Sequence, residues 1–331
     1  MYTEPLVTIA IPTYKRVDYL RQALKSAVLQ TYPHLEILVS DNANELEAEL
    51  AVREMCDPRI RYIPQLTNLG MTGNWDALVE EAQGDYFIVL SDDDLLMNST
   101  ISGLVNGFEK YPQCVFSFCG VQFINSEGQI KGTKLVKGGL YSGLETILAF
   151  LQGGNSPFLC GTLYNRKKFM RTTRFRDTSC QMASDAVAWM KMCLAYNAIV
   201  AVDEVYCEYR IHGTSQSSIT GIEGWKNDLE QLKIEVIKTL TYYGYSLGMS
   251  ELLDKKFSRH CAGLMCNIIV GVERESFTDV ITAWRLITHY CSYIIPNLGI
   301  ITYFFMFVRV SPYGIVNKLL RHLKKKLASN R

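Results

Sequence analysis

"GDYFIVLSDDDLLMNST", Gly84 to Thr100, places three carboxylates directly after an apolar run. The run "YFIVL", Tyr86 to Leu90, is short, β-branched and aromatic, and it follows Gly84. That pattern predicts a buried strand of a parallel sheet. Adjacent like charges repel, so an Asp triplet needs something positive beside it. In open α/β sheets the ligand crevice lies beyond the carboxyl ends of the strands. Clustered hard oxygen ligands at such an end suit Mg²⁺ or Mn²⁺ shared with a phosphate. The competing reading is an acidic turn or helix cap, and the rest of the chain decides between them.

Working outward, strands and helices alternate. "LVTIAI" (Leu6 to Ile11) reads as a first strand ended by Pro12, and "YLRQALKSAVLQ" (Tyr19 to Gln30) carries a helical apolar face. "LEILVSDNA" (Leu35 to Ala43) and "IRYIPQ" (Ile60 to Gln65) read as strands, and a helix through "NWDALVEEA" (Asn74 to Ala82) returns the chain to Tyr86. Short links between alternating elements imply right-handed crossovers and a mainly parallel sheet. A second block holds strand-like "CVFSFCGVQFI" (Cys114 to Ile124), the segment Ser156 to Phe169, a helix Asp185 to Tyr196, and "AIVAVDEVYCEYRIH". From Trp225 onward, Trp225, Leu229, Leu232, Val236 and Leu240 recur at helical spacing. The expected division is therefore 1–224, in halves of about 1–112 and 113–224, followed by a helical region 225–331.

Composition narrows the classes. Hydrophobic residues make up 48% of the 331 and charged ones 20%, which supports a large core and excludes wholesale disorder. A net charge of +1 gives no electrostatic case for nucleic acid. The ten cysteines contain no CxxC pair, and Cys261 and Cys266 beside His260 lack zinc-ligand spacing. No signal peptide is read at "MYTEPLVTIAIPTYKR", so a cytoplasmic protein with reduced thiols is expected.

Taken in order, these stretches resemble the family 2 glycosyltransferases, inverting nucleotide-sugar enzymes of the GT-A fold. The likeness runs from about Leu6 to Ser218 and rests on "IAIPTYKR", "ILVSDNAN", "NLGMTGNWDALVEEAQGDYFIVLSDDDLL", "ASDAVAWMKM" and "YRIHGTSQS". It implies a Rossmann-like mixed, mainly parallel sheet flanked by helices. It also implies a nucleotide site at Pro12, Thr13, Tyr14, Arg16, Asp41, Asn68, Gly70, Asn74, Asp92 and Asp93, with Asp41 facing the base. The metal, Mn²⁺ or Mg²⁺, would be held by Asp94, Asp92 and His212, and Asp185 would be the catalytic base. Two departures stand out: Ser184 occupies the place of a frequent Glu before the base, and no Arg follows the Asn-x-Gly stretch.

Elementary chemistry runs the same way. Transfer from a nucleotide sugar requires neutralising a departing diphosphate, which a divalent ion can do. The acceptor hydroxyl must lose a proton, which a placed carboxylate can take. By capping preference alone Asp185 would be a helix cap, His212 a structural histidine and Asp41 an Asx turn. The basic run Arg166, Lys167, Lys168, Arg171, Arg174 and Arg176 reads first as a solvated face. The function expected is metal-dependent transfer of a sugar from a UDP-, dTDP- or GDP-linked donor to a saccharide or lipid-linked saccharide, in bacterial surface polysaccharide synthesis. The alternatives are a sugar nucleotidyltransferase, disfavoured because the turn "IPTYKRVDYL" has no glycine, and an inactive carbohydrate- or partner-binding module.

The C-terminal sequence adds one expectation. "LGIITYFFMFV" (Leu298 to Val308) is apolar but well short of the roughly 20 residues that span a bilayer. The tail "GIVNKLLRHLKKKL" gathers Ile315, Leu319, Leu320, Leu323 and Leu327 on one helical face with basic residues around it. Such a tail predicts peripheral contact with the inner face of the cytoplasmic membrane.

Overall fold

The computed structural model describes residues 4–213, 215, 222–257 and 260. The apolar stretch 298–308 and the basic tail lie outside them.

Among the described residues ten strands form one mixed sheet, eight of them in the order β3-β2-β1-β4-β9-β6-β10-β5. Its first half is parallel: β1 (Val7–Thr13) lies between β2 (Leu35–Asp41) and β4 (Tyr86–Val89), and β3 (Ile60–Pro64) lies outside β2. The connections are helices α1 (Val17–Val28), α2 (Leu46–Glu54) and α3 (Gly70–Glu81), as the alternation of the sequence requires. Beyond β4 the sheet turns mixed. β9 (Thr162–Asn165) pairs antiparallel with both β4 and β6 (Phe116–Ile124), and β6 runs parallel to β10 (Ile199–Arg210). β5 (Leu95–Leu96) and β8 (Gly139–Tyr141) pair antiparallel with β10, and β7 (Ile130–Lys134) with β6.

The first strand does not stop at Pro12, as its sequence suggests, but continues to Thr13. The reason is local. The β4 ladder ends at the Ala10–Val89 pair, so the missing proline N–H points to a side where no partner strand remains. Strand alternation then separates two cores. Val7, Ile9 and Ile11 pack with α1, α2 and α4 (Thr100–Lys110) on one face. Ala10, Phe87 and Val89 pack with α3, α5 (Gly143–Leu151) and α7 (Ser184–Tyr196) on the other, α6 (Arg166–Thr172) lying between the last two in sequence.

Helix α8 (Ile222–Tyr242) belongs to this second core. Leu229, Leu232, Val236 and Leu240, expected from their spacing, are 0–3% exposed. At roughly 1.5–3 kcal/mol for each fully buried side chain, this stripe holds α8 firmly against α7 and the second core. A further helix covers 247–257. The basic run is not simply solvated. Arg166 caps the carbonyls of Val79 and Glu80, Lys168 those of Gln113 and Cys114, and Arg176 pairs with Asp76 and Glu80.

Candidate active site

A cleft of about 1070 Å³ opens at the carboxyl ends of β1, β2 and β4. Pro12, Thr13, Tyr14, Arg16, Asn68, Gly70, Asn74, Asp92, Asp93, Asp94 and Asp185 all line it, so eleven of the thirteen expected site residues meet there. The other two, Asp41 and His212, stand behind its wall.

The triplet offsets its repulsion through Arg16, shared by two of the carboxylates, and through separate donors to each. Asp92, fully buried, accepts from the Thr13 hydroxyl at 2.8 Å, and its Oδ1 lies 2.5 Å from Arg16 Nη2 in charge contact without hydrogen-bond geometry. Asp93 Oδ2 accepts from Arg16 Nη1 at 2.8 Å and lies 2.9 Å from His212 Nε2. Asp94 Oδ1 accepts from the backbone N–H of Arg210 at 2.8 Å, continuing the β5–β10 pairing by one side chain. Burial still dominates. It lifts Asp92 to about 7 against the opposing pull of Arg16, and it raises Asp94 well above the ordinary carboxylate range, with Asp93 adding repulsion.

Arg210 was not singled out as a site residue by its sequence, yet it organises this corner. Its guanidinium, 3% exposed, donates to the carbonyls of Asp93, Asn125 and Ser126 and to Gln22 Oε1, and its face lies over Tyr19. His212 packs beside the same Tyr19 ring, at 4.9 Å. It therefore braces Asp93, itself a lining residue of the cleft.

The opposite rim comes from the end of β2. Both Asp41 oxygens are occupied: Ala43 N–H, Glu45 N–H and the Tyr62 hydroxyl donate to them. Asp41 is fully buried and ties the β2–α2 turn, the Asx role its sequence also allowed. Its neighbour Asn42 is the residue that lines the cleft. Asn42 Nδ2 donates to Asn68 Oδ1 (2.8 Å) and the Gly70 carbonyl (3.2 Å), while its Oδ1 accepts from Leu69 N–H. Gly70 has φ +73°, which explains a glycine there, and Asn74 is locked to Ser40 by two further bonds. Adjacency to Asp41 in "SDNAN" was the available signal for Asn42.

Asp185 faces the triplet's cleft from the second position of α7. It is not the N-cap: that position is Ala183, and Asp185 Oδ1 accepts from the N–H of Ala186, at 2.8 Å. Burial pushes its carboxyl up to about 6. Ser184, in the place of the frequent Glu, turns inward to the Gln181 carbonyl. The wall around Asp185 is apolar, with Phe150, Phe158, Met182, Trp189 and Trp225.

The arrangement offers a polar, cationic and acidic end for a phosphorylated nucleoside, a carboxylate of raised pKa, and an apolar wall. Comparisons with known proteins agree. Residues 8–173, half of the chain, match the description "Glycosyl transferase family 2". An uncharacterized glycosyltransferase of Rickettsia typhi is 25% identical over 308 residues, spanning 89% of this chain and 90% of that protein. A Campylobacter jejuni protein, GalNAc(5)-diNAcBac-PP-undecaprenol beta-1,3-glucosyltransferase, is 28% identical over 172 residues, 50% of this chain and 55% of its own length. Among solved structures, Staphylococcus aureus TarS 1–349 in complex with UDP-GlcNAc superposes with a TM-score of 0.65 at 12% identity, covering 87% of this chain and 81% of that one. The mannosyltransferase PcManGT of Pyrobaculum calidifontis, in complex with GDP-Man and Mn²⁺, gives 0.57 at 13% identity, covering 96% and 83%. These two share the GT-A fold. By the extent of the family match and the fold around its acidic cleft, this chain belongs to glycosyl transferase family 2 and is a glycosyltransferase.

Proposed function

We propose that the enzyme is an inverting, metal-dependent glycosyltransferase. It moves a sugar from a UDP-, dTDP- or GDP-linked donor to a hydroxyl of a saccharide or lipid-linked saccharide, in the synthesis of a bacterial surface polysaccharide. One observation carries this reading: a carboxylate with pKa about 6, Asp185, opens onto the same cleft as the Asp92–Asp94 triplet. The acceptor hydroxyl loses its proton to Asp185 as its oxygen bonds to the anomeric carbon. The bond from that carbon to the diphosphate breaks on the far face, which inverts the configuration. Arg16 and the Thr13 hydroxyl hold Asp92 in place, and the Asn42–Asn68–Gly70 turn closes the nucleoside end.

The residues fit a hard divalent cation. Asp92 Oδ1 is buried with no hydrogen bond, in charge contact with Arg16 alone, and three successive carboxylates line the cleft at this strand end. Among the described residues no three His, Cys, Asp or Glu side chains converge into a cage. Mg²⁺ and similar ions need none, since they take one or two carboxylates and complete their shell with substrate phosphate and water. Asp94 and Asp92 would hold the ion, with His212 acting through Asp93. When bound, it would neutralise the departing diphosphate.

The apolar wall near Trp225 and the polyprenyl-linked acceptor in the name of the Campylobacter relative support a lipid-linked acceptor. So does the basic amphipathic tail, which supports a peripheral position on the inner membrane face. No helix among the described residues is long and apolar enough to cross a membrane. The test is a thermal-shift and turnover panel of UDP-, dTDP- and GDP-sugars and their diphosphates, with and without Mn²⁺, on wild type and Asp94→Ala. One nucleotide should stabilise the wild type more with Mn²⁺ than without. Asp94→Ala should lose both that increment and turnover. Equal wild-type affinity with and without Mn²⁺ refutes metal dependence.

A further inference from the structure

We infer that Asp228, on the C-terminal helix α8, is a positioning residue for the catalytic base; this rests on the reading of Asp185 given above. Asp228 is 7% exposed and comes from 45 residues beyond the segment it holds. One of its oxygens accepts the N–H of Gln181 at 3.0 Å. The other accepts the N–H of Met182 and, at 3.0 Å, that of Ala183. Three successive backbone N–H groups thus form an anion-binding nest, filled by the chain's own carboxylate. Hydrogen bonds donated to a carboxylate are the strong kind, and an unpaired buried N–H is costly. The nest therefore sets the path of the backbone into α7.

Asp185 follows two residues after Ala183. Its χ angles can only aim the carboxylate from where that backbone leaves it. Its own local bond, to the adjacent Ala186 N–H, gives no anchor to any other element. The neighbouring contacts repeat the link. Ser179 Oγ meets Gln231 Oε1 at 3.1 Å, the Cys180 thiol points to the Asp228 carbonyl, and Lys191 pairs with Glu235 at 3.6 Å. The same helix presents Trp225, Leu229 and Leu232 to the cleft. Helix α8 is thus a structural part of the active site, and Asp228 is the atom-level contact through which it orients the base.

The experiment is a double-mutant cycle in the full chain. It compares Asp228→Ala, Asp228→Asn, Asp185→Asn and the pair Asp185→Asn/Asp228→Ala. Turnover is read as nucleotide release from the cognate nucleotide sugar of the panel above, and binding from its nucleoside diphosphate with Mn²⁺. Asp228→Ala should lower kcat about tenfold or more, and Asp228→Asn, which keeps one acceptor oxygen, should lower it less. The nucleotide Kd should stay within about twofold. In the Asp185→Asn background, Asp228→Ala should cost almost nothing further, because the residue acts through the base. Val236→Ala, which loosens the same helix by removing buried methyl groups, controls for stability. It should lower the melting temperature by a few degrees and leave kcat alone. Additive losses in the cycle, a kcat unchanged by Asp228→Ala, or nucleotide Kd weakening in step with kcat overturn the positioning role alone. Near-normal turnover by Asp185→Asn overturns the base assignment, and the role of Asp228 with it.

Discussion

Replacing Asp185 with Asn keeps the shape of the side chain and removes its ability to take a proton. Burial holds the carboxyl at about 6, against an ordinary 3.8. A base of that strength is roughly 97% ionised at pH 7.5 and roughly 9% at pH 5, so wild-type kcat/KM should fall about tenfold between those values, approaching a slope of one. The sign is that of a base: activity is full above the pKa and lost as pH falls through it. Asp185→Asn should lower kcat by about two to four orders of magnitude and erase that acid limb. Its effect on stability should run the other way. A carboxylate whose folded pKa is raised binds its proton more tightly in the folded state. Its ionisation thus destabilises the fold, increasingly as pH rises from about 4 to about 6 and fully above that. The shift caps the penalty at about 3 kcal/mol, and water in the cleft reduces it. At pH 7.5 the variant should melt no lower than wild type and should bind the cognate nucleotide unchanged. The assay is nucleotide release from pH 4.5 to 8.5, paired with calorimetric unfolding. An Asp185→Asn enzyme with the same acid limb, or with near-normal kcat, refutes the reasoning.

Asn42→Ala removes three hydrogen bonds that hold the Asn68–Gly70 turn. At about 1 kcal/mol each, partly recovered by water, the nucleoside diphosphate should bind about tenfold more weakly by titration calorimetry while its dependence on Mn²⁺ persists. Unchanged affinity would show that this turn does not contact the nucleotide. The full chain should float with anionic liposomes at low salt and less so at high salt, whereas a chain ending at Ile294 should stay below. Recovery of the full chain in the soluble fraction at low salt refutes membrane docking.

Several features of this protein were legible without coordinates. Short-range patterns identify the alternating strands and helices, because a buried strand must be apolar and a helix must repeat its apolar face. They place the triplet at a strand end, and the spacing of Leu229, Leu232, Val236 and Leu240 marks the buried face of α8. Motif order brings Pro12, Thr13, Asn68 and the triplet into one site, since in a parallel sheet every such loop emerges at the same end, whereas Asp185, from the mixed half, was carried there by the family resemblance. What needed tertiary structure is how the side chains divide the work. Asp41 and Asn42 are neighbours with similar hydrogen-bonding atoms. Only the position of Tyr62 and the Ala43–Glu45 turn decides that the first is consumed internally while the second reaches the cleft. His212 turns to Asp93, and Arg210 gathers carbonyls from two other loops; both outcomes depend on the antiparallel pairing of β10 with β5, which brings the end of β10 to the triplet. Asp228 reads in sequence as one more polar residue of an amphipathic helix. Its carboxylate finds the Gln181–Ala183 amides only because α8 folds back on α7, and hydrogen bonds between segments so far apart leave no trace in local periodicity.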